Sequence, residues 1–202
     1  MNGILFGAVI AVVAIGGGAG LVLYSGAYNV AASEPHSGPV FRLMETARLR
    51  SIQNHAKGIE PPANLGKPER LVAGVSHYAE HCAGCHGAPG VESDDMAEGM
   101  YPKPPKLTDV SKRLSSAELF WILKNGIKMT GMPSWGDHSE DDLWNIVAFL
   151  EKLPGMSPDA YHGLTEQAEA AGGHHVHGGM DMPMPESKPA PTDGHEGRWS
   201  MP

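Results

Sequence analysis

The sequence predicts an all-α domain of three or more helices, set between an N-terminal transmembrane helix and a disordered C-terminal tail. Three observations lead there. No stretch alternates apolar and polar residues with a period of two, while apolar residues recur at helical spacing in several segments. Residues 1–32 contain no charged side chain. Residues 156–202 are rich in Gly, Pro, His and Met and poor in large apolar residues, so they cannot bury a core. The 26 glycines and 17 prolines among 202 residues agree, leaving much of the chain to loops and linkers. A formal net charge of -8 argues against a nucleic-acid partner, which needs a basic face.

The first element is the apolar run Ile4 to Tyr24, long enough as a helix to cross ~30 Å of hydrocarbon. Its glycines Gly16, Gly17, Gly18 and Gly20 weaken a soluble helix but are tolerated in lipid. A signal peptide cleaved near Ser25-Gly26-Ala27 or Val30-Ala31-Ala32 is the competing reading. The run exceeds an ordinary signal h-region and starts Met-Asn-Gly with no basic side chain, which favours an uncleaved anchor over 1–32. Arg42, Arg48, Arg50 and Lys57 follow the span, so the positive-inside rule does not place the next segment outside. That placement rests on the motif described below.

Residues 33–66 read as a connector containing a short amphipathic helix. Val40, Leu43, Met44 and Ala47 share one helical face, Pro39 suits a first turn and Gly58 a stop. That face packs on its own domain or lies on lipid headgroups. Residues 67–155 read as the globular domain. A helix is expected over Glu69–His81, then a long loop over 87–111. A second helix starts at the capping box Ser115-x-x-Glu118 and ends near Asn125-Gly126. A third begins near Ser139, with Leu143, Ile146, Val147 and Leu150 on its apolar face and Pro154-Gly155 as its end. Residues 156–202 form the tail, in which only Thr165–Ala171 is helix-prone.

Chemistry concentrates in Cys82-Ala83-Gly84-Cys85-His86. C-x-x-C-H is the attachment signature of c-type haem. Two thiols three residues apart on one turn reach two vinyl groups along one haem edge, and the next residue is carried under the iron. Three alternatives remain. They are a Cys82–Cys85 disulfide of thioredoxin type, which lacks its βαβ setting, a zinc site of both cysteines with His77, His81 or His86, and a plain buried pair. His77 and His81 themselves are expected on the solvated face of the helix entering the motif. A sixth iron ligand would come from the stretch after the second helix. Met132 sits there between Gly131 and Pro133, with Met129 and His138 as rivals.

With these residues in view, the sequence resembles a membrane-anchored, single-haem class I cytochrome c of the bacterial cell envelope. The likeness covers residues 69–153. Cys82, Cys85, His86, Gly87 and Gly90 match the haem-binding stretch. Gly74 and Tyr78 match the small and aromatic residues of the family's first helix, and Ile146 and Phe149 the last-helix residues they pack against. Thr130-Gly131-Met132-Pro133 matches the distal methionine loop. The resemblance implies one covalent haem c held by Cys82 and Cys85, with His86 and Met132 on the iron. It also implies that the carbonyl of Pro104 or Pro105 accepts the ring N–H of His86.

Function follows from that closure. Iron with both axial positions filled suits one-electron transfer rather than bond-making chemistry, so the chain reads as an electron carrier and not an enzyme. The expected setting is single-pass anchoring in a bacterial inner membrane with the haem domain in the periplasm. The expected partners are membrane-bound redox complexes: a quinol-oxidising complex or dehydrogenase as donor, and a terminal oxidase or reductase as acceptor. The alternative is a haem enzyme or gas-binding sensor with a labile sixth ligand. Phe120, Trp121, Leu143, Ile146 and Leu150 are candidate pocket or core residues. Lys103, Lys106, Lys112, Arg113, Lys124 and Lys128 form a candidate basic docking patch. In the tail, His174, His175, His177, Met180, Met182, Met184 and His195 combine imidazole and thioether in a way that suits copper, a second alternative being copper handling.

Overall fold

The computed structural model describes residues 2–172. Among them the regular structure is helical, and the one β-type pairing is an isolated bridge between Ala88 and Val91. Helix α1 (Asn2–Tyr24) is exposed over nearly its whole length. Its Gly3–Tyr24 stretch is long and apolar enough to cross a membrane, compatible with a single-pass anchor.

Helix α2 (Gly38–His55) starts with Pro39 in its first turn. Its packing departs from the first of the two expectations, a face packed on its own domain. Leu43 and Met44 are 69% and 43% exposed, and Ala47 is exposed too. Contact with the domain is made by the C-terminal end instead, through buried Ile52, through Ala56 just beyond the helix, and through His55 stacked on Trp121 at 5.5 Å between centroids. Apart from half-buried Val40, the face chosen from the first two turns is therefore exposed, and the packed residues lie one to three turns further on.

The domain is built on α3 (Pro68–His81) crossing α8 (Glu140–Lys152). A Cβ on Gly74 would lie 2.0 Å from the Asn145 carbonyl oxygen and 2.9 Å from the Phe149 Cβ, so only glycine lets the two backbones approach this closely. One turn on, Tyr78 packs its ring on Phe149 at 4.9 Å. Val75, Tyr78, Leu143, Val147, Phe149 and Leu153 are almost fully buried, each such side chain contributing about 1.5–3 kcal/mol of transfer free energy. Arg70 locks the rim of this crossing. Its guanidinium donates to Asp141 Oδ1 at 2.6 Å, Asn145 Oδ1 at 2.7 Å and Asn64 Oδ1 at 3.1 Å.

Helix α4 (Ala83–His86) continues from α3 after Cys82. The 87–111 segment, expected to be loop, contains two single-turn helices, α5 (Asp95–Glu98) and α6 (Leu107–Val110), and leads into the 3-10 turn Ser111–Arg113. Helix α7 (Ser116–Asn125) carries the expected capping box. Ser115 Oγ accepts the Glu118 N–H at 3.3 Å, and Glu118 Oε2 accepts the Ser115 N–H at 2.7 Å. Phe120 stacks on Trp144 at 4.2 Å, joining α7 to α8. Phe120, Leu143, Ile146 and Leu150 belong to the core, whereas Trp121 stays half-buried.

The globular domain also extends past residue 155. Helix α9 (Pro158–Ala170) is capped by Ser157, whose Oγ accepts the Ala160 N–H at 3.2 Å. Tyr161 and Ala168 are buried against the core, with Leu164 packed on it. Residues 158–170 are thus a packed helix, not part of a structureless tail. The physical reason is a first turn of Ser-Pro followed by apolar residues at i, i+3 and i+7, which supplies both a cap and a packing stripe.

Candidate functional site

The motif turn is short and tightly held. The N–H groups of Cys85 and His86 both donate to the Cys82 carbonyl, at 3.1 and 2.9 Å, which brings the two thiols and the imidazole onto one turn. Gly87 ends it at φ 67, a conformation that favours glycine. Two further contacts fix its outer edge. Tyr78 donates its hydroxyl to the Gly87 carbonyl at 2.5 Å, and the Asp94 N–H donates to the Gly84 carbonyl at 2.8 Å. The Asp94 side chain lies over Gly84, where a Cβ would meet Oδ2 at 2.8 Å and displace the carboxylate.

Both cysteines are free thiols, Cys82 buried and Cys85 half-buried. Burial, with a smaller contribution from Cys85, pushes the Cys82 thiol up to about 12. Tyr78 is pushed up in the same way by burial and by Cys82. His86 is lowered by burial, partly opposed by its backbone hydrogen bond. That bond is to Pro105, whose carbonyl accepts the Nδ1–H at 2.8 Å. Of the two prolines expected from the resemblance, Pro105 is the one engaged. The bond fixes the tautomer and turns the Nε2 lone pair away from Pro105.

The second candidate ligand lies on a loop folded over the end of α7. Gly126 leaves the helix at φ 65, and a Cβ on it would meet Pro133 C at 2.6 Å and Met132 O at 2.8 Å. Ser134 Oγ donates to the Lys124 carbonyl at 2.7 Å, and the Trp135 N–H to the Leu123 carbonyl at 3.0 Å. These satisfy carbonyls that the helix end leaves without partners. Inside the loop, the Ile127 N–H donates to the Met132 carbonyl at 3.2 Å and the Met132 N–H to Thr130 Oγ1 at 3.1 Å. Met132 is half-buried and packs on the core. Its rival Met129 is 75% exposed at φ 61. Gly131 sits against the Met100 side chain, where a Cβ would lie 2.7 Å from Sδ.

His138, the other rival, is drawn into a different group. It lies with His77 and His81, and the ligand atoms of the three are within 4.8 Å of one another. His77 is 4% exposed and His81 half-buried, so the expectation that both face solvent is corrected. The reason is tertiary: the Trp135–His138 segment covers this face of α3, with the His81 ring 5.1 Å from Trp135. The basic patch is also thinner than its sequence count. Lys103 pairs with Glu98 and Lys124 with Glu140, both at 2.6 Å, and Lys106 with Glu92 at 4.0 Å. The tail residues His174, His175, His177, Met180, Met182, Met184 and His195 lie outside the described residues.

The donor set fits a covalent haem. Two free thiols, a histidine already fixed through Nδ1, and half-buried apolar residues left at the edge of the core (Ala88, Leu107, Leu114, Met132 and Trp135) are what such a group requires. Sequence reasoning missed Arg70, Asn64 and Asp94, polar residues whose roles are to hold the scaffold and whose spacing gives no local signal. Residues 69–150 match the family model described as cytochrome c oxidase, cbb3-type, subunit III. No curated protein matches the chain. The family match implies covalent haem c and lends copper binding no support. The helical domain over 69–150 of this chain is a class I cytochrome c domain, the fold of a haem-based electron carrier.

Proposed function

We propose that the chain is a membrane-tethered one-electron carrier with a single haem c, attached through Cys82 and Cys85 and ligated by His86 and Met132. The observation that carries this reading is the single turn Cys82–His86 with its imidazole pre-set by Pro105. Haem c bound there supplies one-electron exchange between ferric and ferrous iron. The chain's own residues do the rest. Cys82 and Cys85 fix the group's position, and the Pro105 carbonyl keeps His86 in the tautomer with Nε2 free to ligate. The loop hydrogen bonds hold Met132 against the core, and the apolar rim keeps water from the site.

Anchoring by α1 would place the domain at a bacterial inner membrane, facing the periplasm, where haem is attached to such motifs. In that setting the donor is a quinol-oxidising complex or dehydrogenase and the acceptor a terminal oxidase or reductase. The description of the matched family, an oxidase subunit, favours an oxidase. Confinement to the same membrane raises the effective concentration of each partner.

The test uses the full chain, expressed with haem-attachment machinery and purified in detergent. Reduced protein should show a low-spin spectrum that carbon monoxide leaves unchanged, and should pass electrons to an oxidase preparation in stopped flow. A high-spin spectrum with rapid carbon monoxide binding would overturn the carrier reading and favour a haem enzyme or gas sensor.

A further inference from the structure

We infer that His77, His81 and His138 form a second metal site, for a divalent cation of zinc type, separate from the haem ligands. Three observations support it. The ligand atoms of the three imidazoles lie within 4.8 Å of one another. Their ring centroids are evenly spaced, 6.3 Å for His77–His81, 6.0 Å for His77–His138 and 6.3 Å for His81–His138, as around a common centre. The group is sheltered: His77 is buried, the other two are half-buried, and Trp135 packs on both at 5.1 and 5.3 Å.

The chemistry suits zinc. Three neutral imidazoles are a common ligand set, binding at about 2.0–2.1 Å. Tetrahedral placement brings the nitrogens to about 3.4 Å apart, which small rotations of the side chains provide. Carboxylates flank the cluster, with Asp142 Oδ1 at 3.8 Å from His77 Nε2 and Glu80 Oε2 at 3.7 Å from His81 Nε2. They lower the cost of holding a dication and offer it an oxygen as fourth ligand. Backbone placement is also favourable. His77 and His81 are four residues apart on one face of α3, and His138 comes from the loop just before Ser139, the N-cap of α8. A bound cation would therefore pin the Met132-bearing loop to the helix that enters the haem motif, raising the melting temperature with ligand concentration.

The test is Zn2+ titration of the chelator-treated full-length haem protein by calorimetry, with metal analysis after desalting. One tight equivalent is expected, with a rise in melting temperature. His138→Ala should weaken it by more than about tenfold while the haem spectrum stays intact. A variant with His174, His175, His177 and His195 all replaced by Gln should keep the tight equivalent. If His138→Ala disturbs the haem spectrum, His81→Gln provides the same comparison at a half-exposed position. Absence of a tight equivalent, unchanged affinity in the cluster variants, or its loss in the tail variant would each overturn the site.

Discussion

The two halves of the proposed haem site are built by different means. The Cys82–His86 turn is an extension of α3, which packs closely on α8, and its bonds are to its own turn, to Tyr78, to Asp94 and to Pro105. The Met132 loop has no helix of its own. It is held by the unpaired end of α7, by its internal hydrogen bonds and by the clearance at Gly126. One half inherits the rigidity of the core; the other depends on a few contacts at a helix terminus. Local opening is therefore cheapest on the methionine side.

Variants can break this contrast in order of expected effect. Replacing both Cys82 and Cys85 by Ala removes the covalent links, and haem staining on a denaturing gel should disappear completely; staining that persists would show attachment elsewhere. Gly74→Ala forces a Cβ into the Asn145 carbonyl at the α3–α8 crossing. It should cost about 3 kcal/mol, the upper end for overpacking, and lower the melting temperature by about 10 °C or more, disturbing both halves together. Gly126→Ala should act on one half only. Its φ of 65 and its contact with Pro133 predict a loss of about 1–2 kcal/mol. Haem attachment should remain full while the methionine-linked absorption weakens. Equal loss on both sides would contradict the contrast. Ser115→Ala removes the α7 cap, remote from the ligands. A drop of about 1 kcal/mol in denaturant unfolding, with an unchanged haem spectrum, is expected.

Legibility in the sequence divides along the same line. The helices α3, α7 and α8 were readable because their caps and apolar stripes are local, as at Ser115 with Glu118 and at Ser139 ahead of three acidic residues. Gly74 and Tyr78 were readable through their match to a known packing pair. Helix α9 was legible only in its C-terminal half, Thr165–Ala171, because a Gly-, Pro- and His-rich composition outweighed Ser157, Pro158 and the Tyr161–Leu164–Ala168 stripe, although that signal was present. For the apolar face of α2 the choice between domain and lipid stayed open, because amphipathic spacing says that a face is apolar, not what covers it. His77 was misjudged for a tertiary reason: the segment that buries it lies about sixty residues later in the chain. The cysteine motif was legible as chemistry, whereas the choice of Pro105 over Pro104 required the fold.

The central claim is closed ligation by His86 and Met132. The oxidised near-infrared spectra of wild type, Met132→Ala and Met129→Ala test it most directly. The sulfur-to-iron charge-transfer band should be present in wild type, persist in Met129→Ala and vanish in Met132→Ala, which should then bind carbon monoxide when reduced. A band that survives in Met132→Ala, or that is lost only in Met129→Ala, would contradict the assignment.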